Sequence, residues 1–258
     1  MVRHKFKSIF ILFLLTLFAN DACAEYLPSV TAEAYIVADN TGRIIAGTNV
    51  NEERSIASIT KLMTAIVVLD SGQPLDEVIP KKLHNKILSR QTLLELAIVK
   101  SDNEAAKMLC DYYTGGYKAC IDAMNTKAKS IGMMDTKFVD PTGRYQENVS
   151  TAKDLVKLVL EASHYKFINY ASNMISVKWE IAKKKFVEFT NTNTLVGNGY
   201  NFIVSKTGFI RKAGGCIVMM LDTSYGPRTV ILLGSKNMQT RIPEAYVLSQ
   251  IPESASGF

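Results

Sequence analysis

Ile56-Ala57-Ser58-Ile59-Thr60-Lys61-Leu62-Met63-Thr64-Ala65-Ile66-Val67-Val68-Leu69 reads as the start and body of a buried helix. Over residues 59–69 only Thr60, Lys61 and Thr64 interrupt an apolar run rich in Ala, Leu and Met, and eleven residues is a helix length rather than a strand length. Ser58 falls at its first turn. Residues three apart on a helix share a face about one turn apart, so the Lys61 amine is within reach of the Ser58 hydroxyl. A serine hydroxyl is a weak nucleophile until a neighbouring base takes its proton, and a lysine is such a base only when its pKa is depressed. Burial of the helix start beside a second cation, Lys206, would depress it.

Outward from this helix the pattern changes twice. Residues 34–50 read as two strands joined by a tight turn at Asn40-Thr41-Gly42. Residues 93–99, 103–113 and 117–131 have helical composition; Gly115-Gly116 interrupts them and Gly132 closes them as a C-terminal cap. Ser150-Thr151 opens a further helix that runs to residue 160. Beyond Lys166 short strands follow at 175–179, 186–189, 201–205, 216–221 and 228–233, with a final helix over 240–250. Strands at both ends with helices between them imply an α/β chain of the α+β kind. Its single antiparallel sheet joins the N-terminal hairpin to the C-terminal strands and is flanked by helices. No repeat, low-complexity segment or linker divides it.

The S-x-x-K spacing of Ser58 and Lys61 is a weak signal alone, because it occurs three times. Ser150 with Lys153 stands at a helix start and reads as a cap, and Ser163 with Lys166 stands where that helix ends. Ser235-Lys236-Asn237 likewise imitates Ser101-Asp102-Asn103. Lys206-Thr207-Gly208 occurs once, and only Ser58, Ser101 and Lys206 give the order S-x-x-K, S-x-N, K-T-G. In that order each member has a task. Ser101 can relay a proton to a leaving amine, and Asn103 can hold Lys61 or a substrate amide. Lys206 and Thr207 offer a cation and a hydroxyl to a carboxylate, and Gly208 lets a strand approach the substrate closely. The backbone N–H groups of Ser58 and Phe209 can receive a developing oxyanion.

Other chemistries lack parts. His84 and His164 are the only histidines beyond the N-terminal segment and neither has a metal-ligand spacing, so no metal and no cofactor are expected, nor a Ser-His-Asp hydrolase. There is no G-x-S-x-G elbow and no phosphate-binding glycine loop. The net charge of +6 carries no run of basic residues with interleaved aromatics, which argues against nucleic acid. The one basic cluster, Lys183-Lys184-Lys185, reads as a solvated turn.

The N-terminus has a basic start (Arg3, Lys5, Lys7), an apolar run over 9–19 too short to span a bilayer, and Ala22-Cys23-Ala24. That is the anatomy of a secretory signal peptide, residues 1–24, cleaved after Ala24. Cleavage lowers the net charge from +6 to +4 and leaves Cys110, Cys120 and Cys216. Cys110 and Cys120 could pair in an exported protein, but the odd total and the absence of C-x-x-C favour three buried free thiols.

The three motifs together are the set of penicillin-binding proteins and class A β-lactamases. Residues 56–65, Ala123-Met124-Asn125-Thr126-Lys127-Ala128-Lys129-Ser130-Ile131-Gly132, Phe138-Val139-Asp140-Pro141-Thr142-Gly143 and Val149-Ser150-Thr151-Ala152-Lys153-Asp154-Leu155 resemble the D-alanyl-D-alanine carboxypeptidase family of low-molecular-mass penicillin-binding proteins. Asn191-Thr192-Asn193, Ser205-Lys206-Thr207-Gly208-Phe209 and Ala213-Gly214-Gly215-Cys216 look most like its D-alanyl-D-alanine endopeptidase branch, the penicillin-binding protein 7 type. The resemblance implies the transpeptidase fold shared with serine β-lactamases, in which residues 25–258 form one catalytic domain with a helical insert at about 70–165. It also implies a periplasmic serine peptidase that acts on peptidoglycan stem peptides and cross-links through an acyl-enzyme on Ser58 and is trapped by β-lactams.

Two departures bear on the branch. Carboxypeptidases of the family continue into a β-rich second domain and an amphipathic membrane helix, whereas this sequence stops 50 residues after Gly208, so no stable membrane anchor is expected. The segment 71–91 is short, and Arg144 stands where an apolar residue is common; both would alter the rim of the cleft. A serine β-lactamase and a non-catalytic peptidoglycan-binding protein share the motifs. No Glu-x-x-Leu-Asn segment follows Ser101 to support the first, and the retained Ser58 and Lys61 oppose the second.

Overall fold

The computed structural model describes residues 27–252; the expected signal peptide and its cleavage point lie outside the described residues. Strands β1 (Ala34–Asp39) and β2 (Ile44–Thr48) form the expected hairpin. A short strand, β3 (Arg54–Ser55), and a 3-10 turn, Ala57–Ile59, then lead into α1 (Thr60–Asp70). Helix α1 is buried from Thr60 through Val68, and its hydroxyls find carbonyl partners: Thr60 donates to Ala57 and Thr64 to Pro141, each at 2.8 Å.

The middle of the chain holds the hairpin β4 (Val78–Leu83) and β5 (Lys86–Ser89), then α2 (Arg90–Glu95), which passes into a π-helical turn, Leu96–Lys100. Helices α3 (Asn103–Asp111) and α4 (Gly116–Ser130) follow; Gly132 sits at φ +78 just past α4, as a C-terminal cap requires. Strand β6 (Val149–Ser150) pairs with β3, and α5 (Ala152–Ser163), α6 (Lys166–Asn173) and the hairpin β7 (Ser176–Ala182) with β8 (Lys185–Thr190) come next. The chain finishes with β9 (Phe202–Ile210), β10 (Gly214–Thr223), β11 (Gly226–Ser235) and α7 (Arg241–Ser249). Among the described residues no helix is long and apolar enough to cross a membrane.

The main sheet is antiparallel, in the order β2-β1-β11-β10-β9, with β1 paired to β11 from Ala34 opposite Leu233 to Asp39 opposite Arg228. Its central strands read as unbroken apolar runs because both faces are covered. Alternate residues serve different cores. Ala34, Ile36, Val218, Met220, Ile231 and Leu233 face the large core built with α1 to α5, while Tyr35, Val37, Ile217, Met219, Val230 and Leu232 face a smaller core closed by Ile242, Ala245 and Leu248 of α7.

The structure departs from the sequence reading in several places. The β4–β5 hairpin and α6 are additional elements, and β7–β8 forms its own two-stranded sheet. Helix α5, within the span expected as an insert, packs on β1 and β11. Strand β9 runs on to Ile210, so Lys206-Thr207-Gly208-Phe209 lies inside a strand at the edge of the sheet. Thr151 rather than Ser150 caps α5, accepting from Asp154 N.

The expectation of three free thiols is corrected. Cys110 and Cys120 form a disulfide between α3 and α4, because the tight turn after Tyr112 folds the two helices against each other and brings the Cα atoms to 5.3 Å. The odd cysteine is Cys216, buried in β10, where burial pushes its thiol up to about 11. Closing a loop with a sequence separation of 10 removes denatured-state entropy equivalent to about 2.5–3 kcal/mol. The Cys110→Ala/Cys120→Ala variant should therefore be about 2–3 kcal/mol less stable in denaturant unfolding; an unchanged midpoint would show that the bridge stabilises nothing.

Candidate active site

Ser58 lies in the 3-10 turn just ahead of α1 rather than within the helix, since Ala57 takes a left-handed φ of +47 that an α-helical turn does not admit. The i,i+3 reach nevertheless holds. The Lys61 Nζ stands 2.8 Å from Ser58 Oγ, 2.7 Å from Asn103 Oδ1 and 2.6 Å from the Thr142 carbonyl oxygen. Lys61 is fully buried, and burial is the main cause that lowers its pKa to about 7. Asp140 and Asp102 oppose that shift, and Arg144 is the cation that adds to it.

The three partners are not equivalent. Asn103 Oδ1 and the Thr142 carbonyl only accept, whereas the Ser58 hydroxyl can also donate. A neutral Lys61 amine therefore spends its two N–H groups on Asn103 and Thr142, and its lone pair is left for the Ser58 proton. This is the arrangement a general base needs.

Two glycines clamp the Ala57–Ser58 peptide. A Cβ built on Gly143, at φ +76, would lie 1.8 Å from the Ala57 carbonyl oxygen, and one on Gly208 would lie 2.9 Å from Ser58 N. Strand β9 thus passes directly over the Ser58 amide; the sequence reading expected Gly208 to admit the substrate, and here its bare backbone meets the Ala57–Ser58 turn. Lys206 is buried, and its pKa is pushed well down by burial first and then by Lys61 and Arg241. Its Nζ donates to the Thr207 carbonyl at 2.8 Å, and the Thr207 hydroxyl donates to Thr192 Oγ1 at 2.6 Å. Phe209, the next residue along this edge strand, is exposed.

Ser101 ends the π-helical turn in a left-handed conformation, φ +61, and Asp102 caps α3 by accepting from Ala105 N at 2.9 Å. That cap fixes the start of the helix on which Asn103 reaches Lys61. Direct hydrogen bonds thus join Ser58, Lys61 and Asn103, backbone contact adds Gly208, and charge links Lys206. Ser101, Thr207 and Phe209 make no hydrogen bond to Ser58 or Lys61; their chain neighbours hold them beside it.

Several contributors were not singled out from sequence. Asp140 is buried and accepts from the N–H groups of Thr142 (2.9 Å) and Gly143 (2.6 Å) and from Asn148 Nδ2 (3.0 Å), which folds the loop that presents the Thr142 carbonyl to Lys61. Asn148 in turn accepts Ile56 N–H on its own carbonyl. Arg241, the first residue of α7, is buried and donates to the Gly208 carbonyl at 2.6 Å, so it stands behind Lys206 as a second cation. Asp140 and Asn148 fall in or beside the segments quoted for the resemblance, but nothing in their local pattern marks a buried network.

The comparisons with known proteins agree with this geometry. The profile of the peptidase S11 family, described as D-alanyl-D-alanine carboxypeptidase, matches residues 21–82 and 76–237. The chain belongs to the D-alanyl-D-alanine carboxypeptidase family. Within that family it is 37% identical over 252 residues to the D-alanyl-D-alanine endopeptidase of Escherichia coli K12, covering 88% of this chain and 81% of that protein. It is 33% identical over 277 residues to the D-alanyl-D-alanine endopeptidase of Pseudomonas aeruginosa, covering 95% and 87%. A solved family fold, penicillin-binding protein D2 of Listeria monocytogenes in its ampicillin-bound form, superposes with a TM-score of 0.77 at 25% identity, over 87% of this chain and 98% of that one.

Proposed function

We propose that this S11 peptidase hydrolyses peptidoglycan peptides through an acyl-enzyme on Ser58, as a D-alanyl-D-alanine endopeptidase that opens D-alanyl-diaminopimelyl cross-links, with carboxypeptidase action on terminal D-alanine as the related activity. The observation that carries it is the setting of Lys61, whose two N–H groups are committed to acceptors while the third position faces the Ser58 hydroxyl. The identity to two D-alanyl-D-alanine endopeptidases supports the endopeptidase branch.

In this reading Lys61 takes the Ser58 proton as Oγ attacks the D-alanine carbonyl. The oxyanion forms between the Ser58 and Phe209 N–H groups, and the C–N bond breaks as Ser101 gives its hydroxyl proton to the leaving amine and takes in its place the proton that Lys61 received from Ser58, which returns Lys61 to its neutral form. Lys206, Thr207 and Arg241 hold the substrate's carboxylate. Water then attacks the ester with Lys61 again as base, and Ser58 is released. A β-lactam follows the first half of this path and stops at acyl-Ser58. The expected signal peptide and a cell-wall substrate together support a periplasmic location.

A base with a pKa of about 7 has a direct consequence. The protonated amine has no lone pair, so penicillin acylation should rise with pH below about 7 and level off above it, half-maximal near 7. A midpoint near 10 would mean that Lys61 titrates like a solvated lysine and is not the base.

Digestion of purified muropeptides decides the activity. Cross-linked dimers should yield monomers, and pentapeptide monomers should lose D-alanine more slowly. Intact dimers after prolonged incubation would overturn the endopeptidase reading, and rapid turnover of penicillin would favour a β-lactamase.

A further inference from the structure

The β4–β5 hairpin has no role in the chemistry above, yet its tip reaches the second motif. His84 and Asn85 form a two-residue turn with φ of +49 and +65, the twisted turn that suits a tight hairpin. From that tip the His84 Nε2 donates to Asp102 Oδ2 at 2.8 Å. The other oxygen of the same carboxylate caps α3. One carboxylate therefore joins a hairpin tip to the start of the helix that carries Asn103.

The imidazole is braced from its other side. Its ring centroid lies 4.5 Å from Phe189 and 6.2 Å from Trp179, which themselves stand 5.6 Å apart on the β7–β8 hairpin. The Lys100 ammonium lies 5.7 Å from the Phe189 centroid, and Thr192 N, just after β8, donates to the Val99 carbonyl at 3.0 Å. Two hairpins from distant parts of the chain thus grip the residues on both sides of Ser101.

Ser101 needs that grip. It is a non-glycine residue in a left-handed conformation, a strained state that persists only where its surroundings impose it. Among the described residues no hydrogen bond holds its hydroxyl, so that hydroxyl's place is set by the backbone: its own N–H on the Leu96 carbonyl and the grip on its neighbours.

We infer that His84 is a positioning residue for Ser101: its hydrogen bond to Asp102, braced by Phe189 and Trp179, sets where the Ser101 hydroxyl stands for proton transfer to the leaving amine. Asn103 keeps its own hydrogen bond to Lys61, a tie that Ser101 lacks, so Ser101 is the residue whose place depends on His84. This rests on the peptidase reading of Ser58 and Ser101.

The test is a cycle of penicillin acylation rates on the full chain, with H84F, H84Q, S101A and H84F/S101A. H84F keeps a ring against Phe189 but has no donor, and it should acylate about tenfold more slowly. H84Q, whose amide nitrogen reaches as far as Nε2, should recover most of that rate. H84F/S101A should be no slower than S101A, because the relay through which His84 acts is already gone. Losses that multiply, or H84Q as slow as H84F, would overturn the inference. If H84F does not fold, H84N, too short to reach the carboxylate, replaces it in the cycle. A wild-type chain that takes up no penicillin would instead refute the peptidase reading itself.

Discussion

Alanine at position 58 should abolish the penicillin adduct and slow hydrolysis of cross-linked muropeptides on the order of 10⁴-fold or more. Among the described residues the hydroxyl has one hydrogen-bond partner, Lys61, and it supplies the atom that would carry the acyl group. Nothing nearby can take its place: Thr60 is tied to the Ala57 carbonyl, and Ser101 stands on another segment in its own constrained turn. The fold should tolerate the change, since Ser58 is only partly buried and loses no cap or core contact. Mass spectrometry of the intact protein after incubation with penicillin reads the outcome, and an undiminished adduct on the Ser58→Ala variant would move the nucleophile elsewhere.

The second large effect comes from Gly143. Its added Cβ would meet the Ala57 carbonyl oxygen at 1.8 Å, and neither side can yield cheaply. The loop is pinned by the Asp140 carboxylate and by Lys61 on the Thr142 carbonyl, and the opposing turn already holds Ala57 at φ +47. Gly143→Ala should therefore lose about 3–5 kcal/mol or fail to accumulate, with penicillin labelling lost as well. Gly72 is the control: it too has a positive φ, +67, but open space around a Cβ, so Gly72→Ala should lose only about 1–2 kcal/mol and keep full labelling. Equal losses in the two variants would mean that the contact at Ala57 relaxes freely.

The parts legible in sequence were those written in short-range pattern. The apolar runs of β1, β10 and β11, the longer apolar run of α1 and the ordered motifs led to the sheet, its helical cover and the candidate site's main residues. The β4–β5 hairpin was not legible because β4 is exposed at four of its six positions and contains Pro80 and two lysines, so it carries no periodic signal. Helix α6 is eight residues long, and the anchors that hold it, Asn169 on the Ile203 carbonyl and Asn173 on Phe202, are tertiary contacts with β9. The cysteine pair depended on how α3 meets α4, which no count of cysteines contains. Arg241 reaches Gly208 across 33 positions of sequence, and only the packing of α7 on the sheet brings the two together.

Strand β1 has one neighbour a few residues away in β2, but the pairing of Ala34 with Leu233 on its other edge spans 199 positions. A chain emerging from its N-terminus therefore carries an apolar strand with an open edge until β11 has been made. Gly208 cannot settle over the Ser58 amide until β9 has joined that same sheet. Folding must close a loop of nearly the whole chain before β9 lies over the Ser58 amide, which predicts slow folding dominated by distant contacts. It also means that nascent or truncated forms ending before β11 hold Ser58 and Lys61 in sequence but have no assembled centre, so the hydrolase is silent until its last strand is in place.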